Sequence, residues 1–135
     1  MEFSWPVRVY YEDTDSGGVV YYANYLKFME RARSEWLRAL GFEQDVLWQQ
    51  QGIVFAVRRA EVDFRSPARF NDALTVVSRV AELRRASLTF HQEILRTEEG
   101  RLLVSGEIQV VCVDRKRFRP VAFPENITER VANAE

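Results

Sequence analysis

The sequence holds one cysteine and one histidine in 135 residues. A lone thiol makes no internal disulfide and no cysteine-based zinc site, and it suits a reducing compartment. A lone imidazole excludes clustered histidine ligands, so no metal site is expected. No apolar run approaches the ~18 residues that would span a bilayer. The opening MEFSWPVRVYYED has no basic region leading into an apolar stretch, so no signal peptide is read. Lysine is almost missing too: among 19 basic residues only Lys27 and Lys116 are lysines. Against 20 acidic residues the net charge is −1, which argues against coating nucleic acid or an anionic membrane with bulk positive charge. There is no G-x-S-x-G nucleophile elbow, no P-loop and no G-x-G-x-x-G. Repeats, low-complexity tracts and linkers are absent as well. A cytoplasmic protein forming a single domain over residues 1–135 is the expectation.

What is present suffices for a core, since 47% of residues are hydrophobic and 13% aromatic. Trp5 to Glu12 reads as a strand, with Pro6 near its start where a missing N–H is tolerated. Asp13 to Gly18 (DTDSGG) is a turn by composition. Tyr22, Tyr25, Met29, Ala32, Trp36 and Leu40 then recur at spacings of three and four, predicting one long helix with those residues buried. Arg31 and Glu35 form an i,i+4 pair on its other side, and Gly41 ends it. A short second helix runs from Gln44 to Gln51. From Ile53 the period becomes two. Ile53 to Arg65 is a strand with Val54, Ala56, Ala60, Val62 and Phe64 on one face, and its apolar start IVFAV suggests cover from both sides. Strands follow at about Leu74 to Leu83, Ser87 to Thr97 and Arg101 to Val113, with a hairpin at Glu99-Gly100. The tail from Asp114 reads as irregular. Four consecutive strands with short links are mainly antiparallel, which predicts an α+β domain with the long helix on a five-stranded sheet. Such a sheet leaves one face open, so a homo-oligomer is expected.

The unusual segment is Tyr11 to Tyr25, YEDTDSGGVVYYANY. Asp13 and Asp15 stand in a turn, two glycines let the backbone approach a ligand, and a helix N-terminus follows. Free N–H groups there make a ready oxyanion site. The plainer reading is that either aspartate caps the turn. His91, mid-strand in LTFHQEI, reads as a solvent-facing strand residue, and Cys112 in VVCVD as a buried inert thiol.

The run Arg8-Val9, Thr14-Asp15, Gly18-Val19-Val20, Ala23 and Tyr25 resembles the signature of the hotdog-fold acyl-CoA thioesterases of the 4-hydroxybenzoyl-CoA type. VRVYYEDTDSGGVVYYANYLKFMERARSEWL is especially similar to their YbgC-like branch, which is associated with the bacterial Tol–Pal envelope system. The likeness continues through IVFAVRRAEVDFRSPARFNDAL and VVCVD, covering nearly the whole chain. It implies an antiparallel five-stranded sheet wrapped around one long central helix. It also implies hydrolysis of acyl-CoA without a cofactor, with Asp15 as catalytic nucleophile or general base. Backbone N–H groups at Tyr22 and Ala23 would hold the thioester carbonyl. Many YbgC-like sequences carry His where this chain has Tyr22, so here a carboxylate-plus-backbone scheme is implied.

Arg84-Arg85 with Ser87, and Arg117 with Arg119, match family positions that contact the nucleotide of coenzyme A. Forked guanidinium donors suit its phosphates. The alternative for these arginines is a solvated edge that discourages aggregation. For the whole chain, the alternatives are a non-hydrolytic module binding acyl-CoA or acyl carrier protein, and a hotdog dehydratase. The family's sites lie between subunits, implying a dimer or tetramer.

Overall fold

A computed structural model describes residues 2–134. The chain runs β1 (Phe3–Arg8), a 3-10 turn (Tyr11–Asp13), α1 (Tyr22–Ala39), α2 (Gln44–Gln51), β2 (Ile53–Phe64), β3 (Ala73–Leu83), β4 (Ser87–Arg96), β5 (Arg101–Asp114) and α3 (Glu125–Ala134). The strands form one antiparallel sheet in the order β1-β3-β4-β5-β2, leaving β1 and β2 at the edges. The α+β expectation holds. Among the described residues no helix is long and apolar enough to cross a membrane.

α1 fills the hollow of the sheet. Phe28, Met29 and Ala32 are fully buried, beside Leu74, Val76, Ile94, Val104 and Ile108 of the strands. Each large side chain so buried contributes about 1.5–3 kcal/mol. The helix ends where Gly41 adopts φ +99°. Gly41 N–H donates to Arg38 C=O and Phe42 N–H to Leu37 C=O, a Schellman close.

Several expectations are corrected. The first strand stops at Arg8 rather than Glu12, because Tyr11–Asp13 turns into a 3-10 step. Tyr22 is 60% exposed, while Phe28 and Leu37 share the buried face instead. The reason is position: Tyr22 is the first helical residue and packs against Phe64, itself half-exposed at the end of β2. Glu35 pairs with Arg38 rather than with Arg31. The tail is not wholly irregular, since α3 buries Ile127 and Val131.

The largest correction concerns β2. Val57 opposes Val110 and Arg59 opposes Gln109, so Arg58 is an extra residue, a bulge. It flips the alternation. Phe55 and Val57 oppose Cys112 and Val110, whereas Ala60, Val62 and Phe64 oppose Ile108, Gly106 and Val104. Val54 and Ala56 therefore face away from Ala60, Val62 and Phe64, opposite the buried Val113 and Val111.

Beyond the start of β4 the tail takes over the ladder along β5. Cys112 N–H donates to Ala86 C=O, Val121 N–H to Cys112 C=O, and Phe123 N–H to Arg85 C=O. The turn Arg84–Ser87 and the segment 115–123 are thereby held at one end of the sheet.

Candidate active site

Asp15 opens a tight hairpin. Thr14 bridges to Val20, Asp15 N–H donates to Val19 C=O, and Gly18 N–H returns to Asp15 C=O. Gly18 sits at φ +79°, a conformation that strains any residue with a Cβ. Gly17 N–H donates to Asp15 Oδ1 (2.8 Å), and a Cβ at Gly17 would come within 3.2 Å of that oxygen. One carboxylate oxygen thus closes the turn. Oδ2 makes no hydrogen bond among the described residues, and the side chain is exposed.

Asp13 is its opposite. It is buried, its Oδ2 accepts Tyr10 N–H (2.8 Å), and its Oδ1 accepts Asn24 Nδ2–H (3.0 Å). Its carbonyl accepts Tyr21 N–H, so it ties the loop to the start of α1. Asp13 is thus committed to the loop, whereas Asp15 keeps one oxygen open.

No side chain caps the N-terminus of α1. The amides of Tyr22 and Ala23, the first two of the helix, have no intrahelical partner either. They present two donors and the positive end of an 18-residue helix close to the Asp15 hairpin. Aromatic rings surround this spot. Phe64 lies 6.0 Å from Tyr22 and 5.8 Å from Tyr25, while Tyr11 packs edge-on against Phe70 at 5.6 Å. Tyr11, Tyr21, Tyr22, Phe64 and Phe70 are all exposed, an apolar surface larger than isolated residues would make.

Tyr25 is a residue whose role periodicity alone did not reveal. Its hydroxyl accepts Ala68 N–H at 2.9 Å, fixing the loop 66–72 under the hairpin, where Val20 N–H donates to Ala68 C=O. Burial raises the Tyr25 pKa, so the phenol stays a neutral hydroxyl. Arg96 holds the same loop through Asp72 (3.2 Å) and Pro67 C=O (3.0 Å).

The arginines lie elsewhere. Arg84 pairs with Glu82, and its N–H donates to Ser87 C=O to close the turn. In the loop after β5, Asp114 accepts Arg117 N–H (2.7 Å) and Lys116 N–H (3.1 Å), which lowers its pKa. Arg85, Arg117 and Arg119 are exposed and make no ion pair among the described residues. The structure therefore brings Arg84, Arg85, Ser87, Arg117 and Arg119 to one end of the sheet. It does not bring them to Asp15. The start of α1 abuts Phe64, opposite Val104, whereas the arginine loop follows Asp114. The ten steps of β5 from Val104 to Asp114 span roughly 33 Å.

A cavity of about 670 Å³ lies near the arginine end, between the second half of α1, α3 and the sheet. Trp36, Leu37, Phe55, Phe90 and Val110 line it, and Glu30 and Arg33 stand on its polar side. Arg33 is about 16 Å along α1 from Tyr22. His91 and Cys112 take no part in the Asp15 hairpin. His91 pairs with Glu107 (2.9 Å) on the outward side of the sheet, and Cys112 is buried with its pKa pushed up to about 11 by burial.

The chain is similar to known thioesterases. The family model of the thioesterase-like superfamily matches residues 9–131. The acyl-CoA thioesterase YbgC of Haemophilus influenzae is 45% identical over 125 residues, 93% of this chain and 90% of its own. Among solved structures, a probable thioesterase from Bartonella henselae superposes with a TM-score of 0.86 at 35% identity, covering 92% of this chain and all of its own. A 1,4-dihydroxy-2-naphthoyl-CoA thioesterase from Synechocystis shares the fold, with a TM-score of 0.91 at 22% identity over 98% and 97% of the two chains.

Proposed function

The chain belongs to the thioesterase-like superfamily, and we propose that it hydrolyses acyl-CoA to a carboxylic acid and free CoA with Asp15 as the acting carboxylate. The observation that carries the assignment is the division of labour between the two aspartates. Asp13 has both oxygens committed, whereas Asp15 is exposed with one oxygen free beside an uncapped helix start.

The chemistry fits that arrangement. A thioester carbonyl is electrophilic and its thiolate leaves without strong acid assistance. Asp15 either attacks it, giving a mixed anhydride that water then opens, or takes a proton from the attacking water. In both routes the C–S bond breaks and the sulfur leaves as thiolate, which is protonated to free CoA. Negative charge grows on the carbonyl oxygen, and the Tyr22 and Ala23 amides are placed to receive it. No metal or redox step is required.

The distance between Asp15 and the arginines supports a site shared by two protomers. β2 is an edge strand whose midpoint is the Arg58 bulge. Antiparallel pairing of two β2 strands about that point sets Phe64 of one chain beside Ile53 of the other. The Asp15 hairpin of one protomer then meets the cavity and the Arg117–Arg119 loop of its partner. This pairing also covers a bare strand edge. In this reading Arg84, Arg85, Ser87, Arg117 and Arg119 hold the CoA phosphates, and the cavity holds the acyl group. A reducing cytoplasm, where CoA thioesters are made, is the proposed compartment. A released-thiol assay of wild type and Asp15→Asn across short-chain, long-chain and aromatic acyl-CoAs tests the assignment.

A further inference from the structure

Arg33 is an unusual residue to find on the sheet-facing side of α1. It follows Ala32, which is fully buried, and it is itself half-buried. A guanidinium carries five N–H donors. Among the described residues Arg33 uses one: Nη1 donates to Gln92 Oε1 at 3.0 Å. No carboxylate lies within ion-pair distance of it among the described residues. Glu35, two residues on, is taken by Arg38, and the Glu30 carboxylate accepts the Ser34 hydroxyl (2.7 Å). Burial lowers the Arg33 pKa and Glu30 opposes that shift, yet the group stays a cation at any physiological pH.

Gln92 is not a passive neighbour. It is completely buried on β4, and its amide nitrogen donates to Met29 C=O (3.0 Å) and Ser78 Oγ (2.9 Å). Both of those acceptors are fixed, Ser78 being fully buried on β3. The amide therefore has one orientation, and its oxygen is aimed at Arg33. Gln92, Ser78 and the Met29 carbonyl thus hold one guanidinium at the wall of a cavity whose sheet and α3 walls are apolar, while Glu30, Glu43 and Asp45 stand on its helical rim. The other arginine at that cavity, Arg38, is by contrast already paired with Glu35 and Glu43.

Filling the cavity with a plain hydrocarbon chain would strip water from the remaining Arg33 donors and leave a desolvated charge without a partner, which is costly. An acyl group ending in a carboxylate would meet those donors in the forked geometry that guanidinium favours. We propose that Arg33, oriented by Gln92, is a specificity-determining residue that selects acyl groups carrying a second, distal carboxylate, that is, CoA thioesters of dicarboxylic acids. This rests on the thioesterase reading only in placing the acyl group in the cavity.

Matched pairs test it: hexanoyl-CoA against adipyl-CoA, and octanoyl-CoA against suberyl-CoA. Binding is measured by calorimetry in the Asp15→Asn background, where the thioester persists, and kcat/KM is measured with Asp15 present. The dicarboxylic thioester of at least one pair should bind and react about tenfold or more better, the scale of one charge-assisted pair. Arg33→Met should abolish that preference while keeping or raising affinity for the plain acyl partner. Arg33→Lys, which keeps the charge but not the fork, should retain part of it. Equal affinities within both pairs, or an Arg33→Met protein that loses both members of a pair alike, would overturn the proposal and leave Arg33 as a structural strut. A binding preference that survives without any turnover would overturn the thioesterase reading instead.

Discussion

Asn24 Nδ2 donates to Asp13 Oδ1 at 3.0 Å, joining the first turn of the central helix to the loop that precedes it. That bond occupies the carboxylate which stands two residues from Asp15 and leaves Asp15 as the acid with an open oxygen. Two similar residues in one turn thus have different surroundings.

Asp15→Asn keeps the side chain's shape and the acceptor for Gly17 N–H but removes the negative charge. kcat should fall about a hundredfold or more, the scale of losing a general base. The melting temperature and the affinity for acyl-CoA should change little. Near-normal turnover by the folded variant would remove Asp15 from the mechanism.

Asp13→Asn should show the converse. An amide there keeps the acceptor for Tyr10 N–H but loses the charge that strengthens both bonds, and its NH₂ is met only if Asn24 flips its own amide, at a cost of about 1 kcal/mol or more in stability. Chemical denaturation measures that loss, and the variant should keep substantially more activity than Asp15→Asn.

Arg84→Ala and Arg117→Ala should raise KM for CoA thioesters more than they lower kcat, because phosphate contacts persist from ground state to transition state. The wild-type KM should also rise with salt. Arg84 is the weaker test, being already paired with Glu82. Identical KM values for wild type and both variants would return these arginines to the role of a solvated edge.

A site divided between protomers requires assembly. Light scattering should show at least a dimer at micromolar concentration. A monomer with undiminished activity would defeat the shared-site arrangement.

The Cys112 thiol, pushed up to about 11 by burial, holds its proton at pH values where the unfolded chain releases one. Its contribution to stability is therefore whole below the ordinary thiol range of about 8.5 and declines as pH rises toward 11. Denaturation of wild type and Cys112→Ala across alkaline pH should show that component only in wild type. Native Cys112 should also resist alkylation at neutral pH and react fully in denaturant.

The parts legible in the sequence are those written locally. Helical spacing located α1, Gly41 marked its end, and the switch to period two announced the strands. The irregular motif around Thr14-Asp15 and Gly18-Val19-Val20 carried the resemblance to the family, and within it Gly18 is required by its φ of +79°. Gln92 left a signal that went unread: it is the one polar side chain among Leu88, Phe90 and Ile94 on the inward face of β4.

What only the tertiary structure decided depends on which segments meet. A single bulge at Arg58 turned half of β2 over, and no local pattern marks it, since both faces of that strand are partly apolar. The choice between Asp13 and Asp15 rests on whether Tyr10 N–H and Asn24 reach a carboxylate. The separation of Asp15 from the arginines is a property of strand direction, because antiparallel β5 carries its two ends to opposite sides of the molecule. Propensity and periodicity act over a few neighbouring residues, whereas pairing, burial and charge compensation are set by contacts between residues far apart in the chain. The motif residues were therefore readable one by one, and the arrangement that makes a site of them was not.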